Sequence, residues 1–266
     1  MNNSKIFDFG KNWKNFLNDI DETRINNSVS SLKSFTGLKN LINLKFLDVG
    51  SGSGLSSLAA RRLGASVYSF DYDEFSVEAT NSLKNKFSQG DRNWQINQGS
   101  ILDEKFLKGL GEFDIVYSWG VLHHTGNMTK ALNNIDINVK KEGLLFIAIY
   151  NDQGIKSIFW KKLKYIYVRY RILRPLLILF GYVLFLPSKI FKFFLKKIGS
   201  KIQTKFQKRR GMSFYYDIVD WIGGYPFEVS TPEKIIHFYL SKGYNLIKLK
   251  TCKGKLGCNE FLFKKI

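Results

Sequence analysis

Lys45-Phe-Leu-Asp-Val-Gly-Ser-Gly-Ser-Gly-Leu55 leads through a helical run into Val67-Tyr-Ser-Phe-Asp-Tyr-Asp73. Residues 45–49 are a short apolar run of strand length, and Gly50, Gly52 and Gly54 follow at once. After them Leu55, Leu58, Ala59 and Leu63 recur at helical spacing. A strand, a glycine turn and a helix in that order read as a nucleotide-binding βα unit, because glycine lets the backbone turn tightly and approach a ligand closely. Asp71 ends the next apolar run, 21 residues after Gly50. A carboxylate there can accept two hydrogen bonds from the vicinal diol of a ribose.

The spacing also separates possible ligands. A dinucleotide site wants G-x-G-x-x-G, with the pyrophosphate at the helix N-terminus. Here the order is Asp48-Val-Gly-Ser-Gly-Ser-Gly54, with an acid inside the motif. That order resembles motif I of the class I S-adenosylmethionine-dependent methyltransferases, whose ligand carries no phosphate. Two further stretches carry the resemblance. Residues 94–97 read as a third strand, and Gln98-Gly-Ser-Ile-Leu-Asp103 follows it. In the family, residues at this place flank the adenine, which implies Ser100, Ile101 and Asp103. Phe113-Asp-Ile-Val-Tyr-Ser-Trp-Gly-Val-Leu-His-His-Thr-Gly126 reads as a fourth strand running into a loop, close to the motif the family carries there. It places Ser118 and Trp119 at the strand's C-terminal end, where open α/β sheets bind ligands. The implied cofactor-binding residues are Asp48, Gly50, Ser51, Gly52, Gly54, Asp71, Tyr72, Ser100, Ile101 and Trp119. The implied cofactor is S-adenosylmethionine, with S-adenosylhomocysteine as product. Asp73 reads as the cap of a helix over 74–87.

At 266 residues the chain has room for one α/β domain with a substantial insertion. The formal net charge of +19 raises nucleic acid or an anionic membrane as partners. That charge is local. Between Asp152 and Asp217 lie 64 residues without an acid, where about five are expected, and they hold 16 of the 41 Lys and Arg. The remaining 25 basic and 22 acidic residues leave only +3. Cys252 and Cys258 lack the partners of a zinc site, so no metal is expected. The N-terminus shows no apolar signal core, so export is not expected and a cytoplasmic location is the expectation.

Residues 1–44 read as a helical N-terminal cap, with Trp13, Phe16, Leu17 and Ile20 on one face. It either closes over the cofactor or covers core. The stretch Phe7-Asp-Phe-Gly-Lys-Asn-Trp13 resembles the start of bacterial methyltransferases found near quinone and glycan biosynthesis genes. His123 and His124 stand at the mouth of the site, and adjacent residues point different ways, so one of the two at most serves as acid or base. Residues 143–150 form a continuous apolar run, a buried fifth strand. Asn151 follows it either as a turn former or as an acceptor contact. A last helix starts at Ser230-Thr-Pro-Glu233 and closes at Gly243. Two antiparallel strands over 244–251 and 258–264 complete the sheet. In that fold their hairpin borders the site with Cys252, Cys258 and Asn259.

Residues 153–229 are therefore an insertion over the acceptor side. Its centre, Leu176–Leu186, is an apolar run of 11 residues between Pro175 and Pro187, too short for a membrane span of about 20. Lys189, Lys192, Lys196 and Lys197 alternate at helical spacing with Ile190, Phe193, Phe194 and Ile198. A basic helix with an aromatic face lies in a membrane interface, so residues 156–210 are assigned to an anionic membrane surface rather than to nucleic acid. The competing reading is a plain lid with a solvated lysine face. Ubiquinone-biosynthesis methyltransferases, which the chain resembles, carry a membrane-contacting insertion at this place. The insertion ends in Phe214–Glu228, where Tyr216, Trp221 and Tyr225 fold back toward the acceptor.

The expectation is a Rossmann-like, seven-stranded, doubly wound α/β sheet with its last strand antiparallel. The core comprises 45–152 and 230–266, with the basic, hydrophobic helical insertion after strand five. The expected function is methyl transfer to an oxygen or carbon nucleophile of a lipid-soluble or membrane-presented small molecule, of quinol or polyprenyl-linked type, by an enzyme peripheral on the inner membrane face. The alternatives are a small soluble acceptor such as a thiol, amine or sugar nucleotide, or a non-catalytic cofactor-binding adaptor. A base is needed only for an acceptor hydroxyl or thiol of high pKa, and His123, His124 and Asp217 are the candidates.

Overall fold

A computed structural model of the chain describes Phe7, residues 20–184 and residues 214–266, the side chains of 214–217 and 220 excepted. The expected helical faces of Trp13, Phe16 and Leu17 and of 189–198 lie outside the described residues, as do the side chains of Tyr216 and Asp217.

Seven strands form one sheet in the order β3-β2-β1-β4-β5-β7-β6. They are β1 (Lys45–Val49), β2 (Ser66–Asp71), β3 (Trp94–Gln98), β4 (Phe113–Trp119), β5 (Val139–Tyr150), β6 (Tyr244–Lys250) and β7 (Cys258–Lys265). All pairs are parallel except those of β7, which runs antiparallel to both β5 and β6. This is the expected doubly wound sheet with its last strand reversed. β5 begins four residues earlier than its apolar run, because Lys140, Lys141 and Glu142 are an exposed polar start to the same strand.

Central strands are buried on both faces, which is why they read as unbroken apolar runs rather than alternating ones. Side chains still alternate along them. Leu47, Val49, Val116, Leu145 and Ile147 join one core cluster, and Phe46, Ile115 and Phe146 join the other. The second cluster is covered by α1 (Glu22–Thr36), α2 (Leu55–Arg62) and α3 (Glu74–Phe87) through Ile25, Leu32, Phe35, Leu58 and Leu83. Phe35 of α1 stacks on Phe146 with ring centroids 4.1 Å apart. The first cluster is covered by α4 (Glu104–Leu110), α5 (Met128–Asn134) and α8 (Pro232–Leu240). Each cap is legible. Asp21, Asp73 and Asp103 accept the first free amides of α1, α3 and α4, and Thr231 does so for α8 with Pro232 behind it.

The insertion leaves and rejoins the sheet at one point. Ser230 donates its N–H to Tyr150 O at 3.0 Å, and Asp152 donates to Ser230 O at 3.1 Å. Between these ends stand α6 (Ile155–Arg169), a helical stretch over 174–184, and α7 (Phe214–Gly223). They close a third apolar cluster on the tip of β5. Trp160, Leu163, Tyr167, Ile218, Ile222 and Phe227 pack there around Tyr150. Among the described residues no helix is long and apolar enough to cross a membrane.

Candidate active site

The glycine turn is set by its surroundings. Gly50 has φ +77°, and a Cβ there would lie 2.5 Å from the methyls of Val121. Gly54 begins α2 at φ +78°, where a Cβ would lie 2.8 Å from Thr80. Both positions forbid a side chain twice over, by conformation and by space. Gly52 donates its N–H to Asp71 Oδ2 at 2.9 Å, and Asp73 donates to Oδ1 at 3.0 Å. The carboxylate at the end of β2 is thus aimed by the turn it faces. Each oxygen keeps a lone pair for a diol.

Asp48 is held by a relay of hydroxyls that the sequence reading missed. The Trp94 indole donates to Ser69 Oγ at 2.8 Å, Ser69 and Ser57 lie 2.6 Å apart, and Ser57 donates to Asp48 Oδ2 at 2.5 Å. An indole can only donate, and Ser57 gives its proton to Asp48, so Ser69 must donate to Ser57. Burial pushes Asp48 up to about 7, against the pull of the Ser57 hydrogen bond and with help from the Asp71 charge. Burial likewise lifts Asp71 to about 6, against the amides of Asp73 and Gly52. Two carboxylates on one wall, Asp48 buried and Asp71 half-buried, repel a pyrophosphate and favour a ligand carrying positive charge.

These groups open on a cavity of about 1500 Å³. A single small-molecule site occupies roughly 300–1,000 Å³, so there is room for two ligands. Ser51, Tyr72, Ser100, Ile101, Trp119 and His124 line it, as do Asp48, Gly50, Gly52 and Asp71. Gly54 stands just behind the wall. Asp103 lines the cavity while capping α4. Of the N-terminal region, α1 shows two different sides. The apolar side of α1 covers core, while Arg24, Asn27, Ser28 and Ser31 face the cavity. That polar face escaped the sequence reading, which followed only the apolar residues.

The histidine pair separates cleanly. His123 is fully buried, its ring 4.0 Å from that of Tyr150, and its Nδ1 accepts the Tyr150 N–H at 3.3 Å. It braces the tip of β5 and does not reach the cavity. His124 lines the cavity, and its Nδ1 meets Pro226 O at 2.7 Å. A carbonyl only accepts, so His124 carries its proton on Nδ1 and Nε2 is its basic nitrogen.

The acceptor-side candidates also divide. Trp221, Cys252 and Cys258 line the cavity. Asn151, Asn259 and Tyr225 do not. Asn259 is buried and donates to Asn151 Oδ1 at 2.9 Å while accepting the Cys252 N–H at 3.0 Å. The two amides lock the hairpin to the end of β5. Tyr225 packs against Tyr165 with ring centroids 5.6 Å apart. Ser118 is buried too, donating to Val49 O at 3.1 Å between β4 and β1. Among the described residues no group of three His, Cys, Asp or Glu could hold a metal ion.

Residues 42–168 match the family model described as a methyltransferase domain. Over those residues the chain is similar to the class I S-adenosylmethionine-dependent methyltransferases. The ubiquinone biosynthesis O-methyltransferase of Pelagibacter ubique is 29% identical over 125 residues, which are 47% of this chain and 50% of that one. The ribosomal protein L11 methyltransferase of Prochlorococcus marinus is 42% identical over 80 residues, 30% of this chain and 23% of that one. The chain spans half the length or less of these curated relatives. Among solved structures, the methyltransferase fold is shared with magnesium protoporphyrin IX methyltransferase from Synechocystis with bound S-adenosylhomocysteine (TM-score 0.53, 13% identity, 91% of this chain and 82% of that one). It is shared as well with an S-adenosylmethionine-dependent methyltransferase from Anabaena variabilis (TM-score 0.54, 14% identity, 100% and 96%). The acidic wall of Asp48 and Asp71 suits a cofactor that carries positive charge and no phosphate better than it suits a dinucleotide.

Proposed function

We propose that this chain moves the methyl group of S-adenosylmethionine to an oxygen or carbon nucleophile of a lipid-soluble or membrane-presented small molecule, of quinol or polyprenyl-linked type. The observation that carries the lipid part is a bare apolar stripe on the insertion. Ile155, Ile158 and Phe159 on α6, and Leu176, Leu179, Phe180 and Val183 on the next helical stretch, all face outward at helical spacing. Ile155 is 85% exposed and Ile172, between the helices, 87%. The inner face of the same stretch is apolar too, with Leu177, Ile178 and Tyr182 packed on the insertion's own core. A helix apolar all round needs cover on both sides. Lys156, Lys161, Lys162, Arg169, Arg171 and Arg174 flank the stripe, and no acid lies among them. That pattern fits the interface of an anionic bilayer. The relatives named ubiquinone biosynthesis O-methyltransferases support the acceptor class.

Asp71 holds the ribose, Asp48 and the Gly50–Gly54 turn hold the amino-acid end, and Arg24 pairs with a carboxylate there. S-adenosylmethionine, when bound, supplies a methyl group on a sulfonium whose leaving sulfide needs no proton. The chain's own work is alignment and exclusion of water. The aromatic wall of Trp119, Tyr150 and Trp221 orients the acceptor. His124 Nε2 takes the proton of an acceptor hydroxyl.

Incubating the protein with methyl-labelled S-adenosylmethionine and a host lysate, then partitioning the label, tests the reading. Label is expected in the organic extract, and more of it when anionic vesicles are present. Label confined to aqueous or volatile products makes the insertion a lid over a small soluble acceptor. No transfer despite tight cofactor binding makes the chain an adaptor.

A further inference from the structure

His124 is not fixed by its own loop alone. The loop after β4 is stapled from outside by Tyr225–Glu228, the last residues of the insertion before it rejoins the sheet. Pro226 O accepts the His124 Nδ1–H, with Nδ1 and O 2.7 Å apart. Glu228 donates its backbone N–H to His123 O at 3.0 Å, and its Oε2 accepts the N–H of Met128, the first residue of α5, at 2.9 Å. Gly126 faces Pro226 so closely that an added Cβ would lie 3.3 Å from the ring. Asn127 caps α5 at the Lys130 N–H, so the carboxylate of Glu228 fills the neighbouring slot, from a residue 100 positions away. One residue thereby grips both ends of the segment that carries His124, its backbone at His123 and its side chain at Met128.

The grip has an electrostatic signature. Glu228 is half-buried, and burial raises its carboxyl above the ordinary range, against the Met128 hydrogen bond and the charge of Lys161. A glutamate serving only as a surface group would turn to water. This one stays on a helix N-terminus, where an anion is favoured.

We propose that Glu228 is the positioning residue for His124. By setting the place of the 123–128 segment it brings the imidazole onto Pro226 O, which fixes the proton on Nδ1 and leaves Nε2 toward the acceptor. This rests on the assignment of His124 as the proton-accepting residue. It also makes the insertion part of the machinery, because the site is complete only when the return segment is seated.

Three variants of the full chain test it: Glu228→Gln, which keeps an acceptor oxygen for the Met128 N–H, Glu228→Asp, which retracts it by one methylene, and Glu228→Ala, which removes it. The first readout is the ¹⁵N chemical-shift signature of the His124 ring. Wild type and Glu228→Gln are expected to show a protonated Nδ1. Glu228→Asp and Glu228→Ala should show averaged tautomers, with S-adenosylhomocysteine affinity within about twofold of wild type. The second is label transfer at saturating lysate extract, expected to drop about 10- to 100-fold in Glu228→Ala, with the extract concentration for half-saturation unchanged, and to recover in Glu228→Gln. An unaltered ring signature in both Glu228→Asp and Glu228→Ala overturns the proposal. His124→Gln, run alongside, separates the two ideas. If it transfers label at the wild-type rate, His124 is not the base, while the ring signature still decides what Glu228 does.

Discussion

Replacing Asp48 with asparagine isolates the electrostatics of the cofactor end. Asp48 is 2% exposed, and burial raises its carboxyl from 3.8 to about 7. An acid whose pKa is higher in the fold keeps its proton longer there than in the unfolded chain, so its ionisation costs stability. The cost is absent below about pH 4, grows as pH rises through the interval, and is complete above about 7. Three decades at about 1.4 kcal/mol each come to on the order of 4 kcal/mol. Asparagine keeps an oxygen for the Ser57 hydroxyl and removes the charge. The variant should therefore be more stable than wild type, by a margin that widens by about 2 kcal/mol between pH 5.5 and 7 and is flat above. At about 2–4 °C per kcal/mol for a chain of this size, the widening is about 4–8 °C in Tm. Binding should move the other way. A charge-assisted hydrogen bond contributes about 1.5–3 kcal/mol, so S-adenosylmethionine affinity at pH 8 should fall about 10- to 150-fold. Scanning calorimetry of both proteins at pH 5.5, 7 and 8.5, with titration calorimetry at pH 8, reads both effects. A stability gap of the same size at every pH, or undiminished affinity, refutes the reasoning.

Gly50→Ala meets a positive φ and the Val121 methyls at 2.5 Å. It should cost about 2–4 kcal/mol in denaturant unfolding and at least about tenfold in S-adenosylhomocysteine affinity, because the turn and the Val121 loop cannot both stay in place. Trp160→Ala empties the centre of the insertion cluster, where Trp160 meets Trp221 with ring centroids 5.4 Å apart. The loss is about 3–5 kcal/mol and falls on the insertion. Limited proteolysis should open residues 155–184 while S-adenosylhomocysteine affinity stays within about threefold, and an unchanged digestion pattern counts against a separately packed insertion.

What could be read from the sequence was what neighbours in sequence decide. The strand, the glycine turn and Asp71 lie within 30 residues, and their spacing carries the geometry without help from elsewhere. Caps such as Asp73 and Thr231 are equally local. The histidine choice was not legible, because Pro226 lies 102 positions from His124 and the tautomer is fixed by that carbonyl. Asn151 and Asn259, 108 apart, looked like polar groups at the mouth of a site until their mutual hydrogen bond showed them to be a lock. The relay behind Asp48 runs through Ser57, Ser69 and Trp94, three unremarkable residues whose meeting depends on strand register.

Lys164 is fully buried on α6. Its Nζ donates to Trp221 O and sits 4.6 Å over the Trp221 ring and 4.9 Å over that of Phe227, and ring faces favour a cation. On the outer face of α6, Lys161, Lys162 and Arg169 stand in a stretch with no acid between Asp152 and Asp217 in sequence. Exposed ion pairs contribute only about 0–1 kcal/mol to stability. The same basic residues facing an anionic surface contribute about 1 kcal/mol each. Stability therefore loses little by the absence of acids, and attraction to a negative surface gains from every one left out. The sign of the insertion's charge thus follows from its compositional bias.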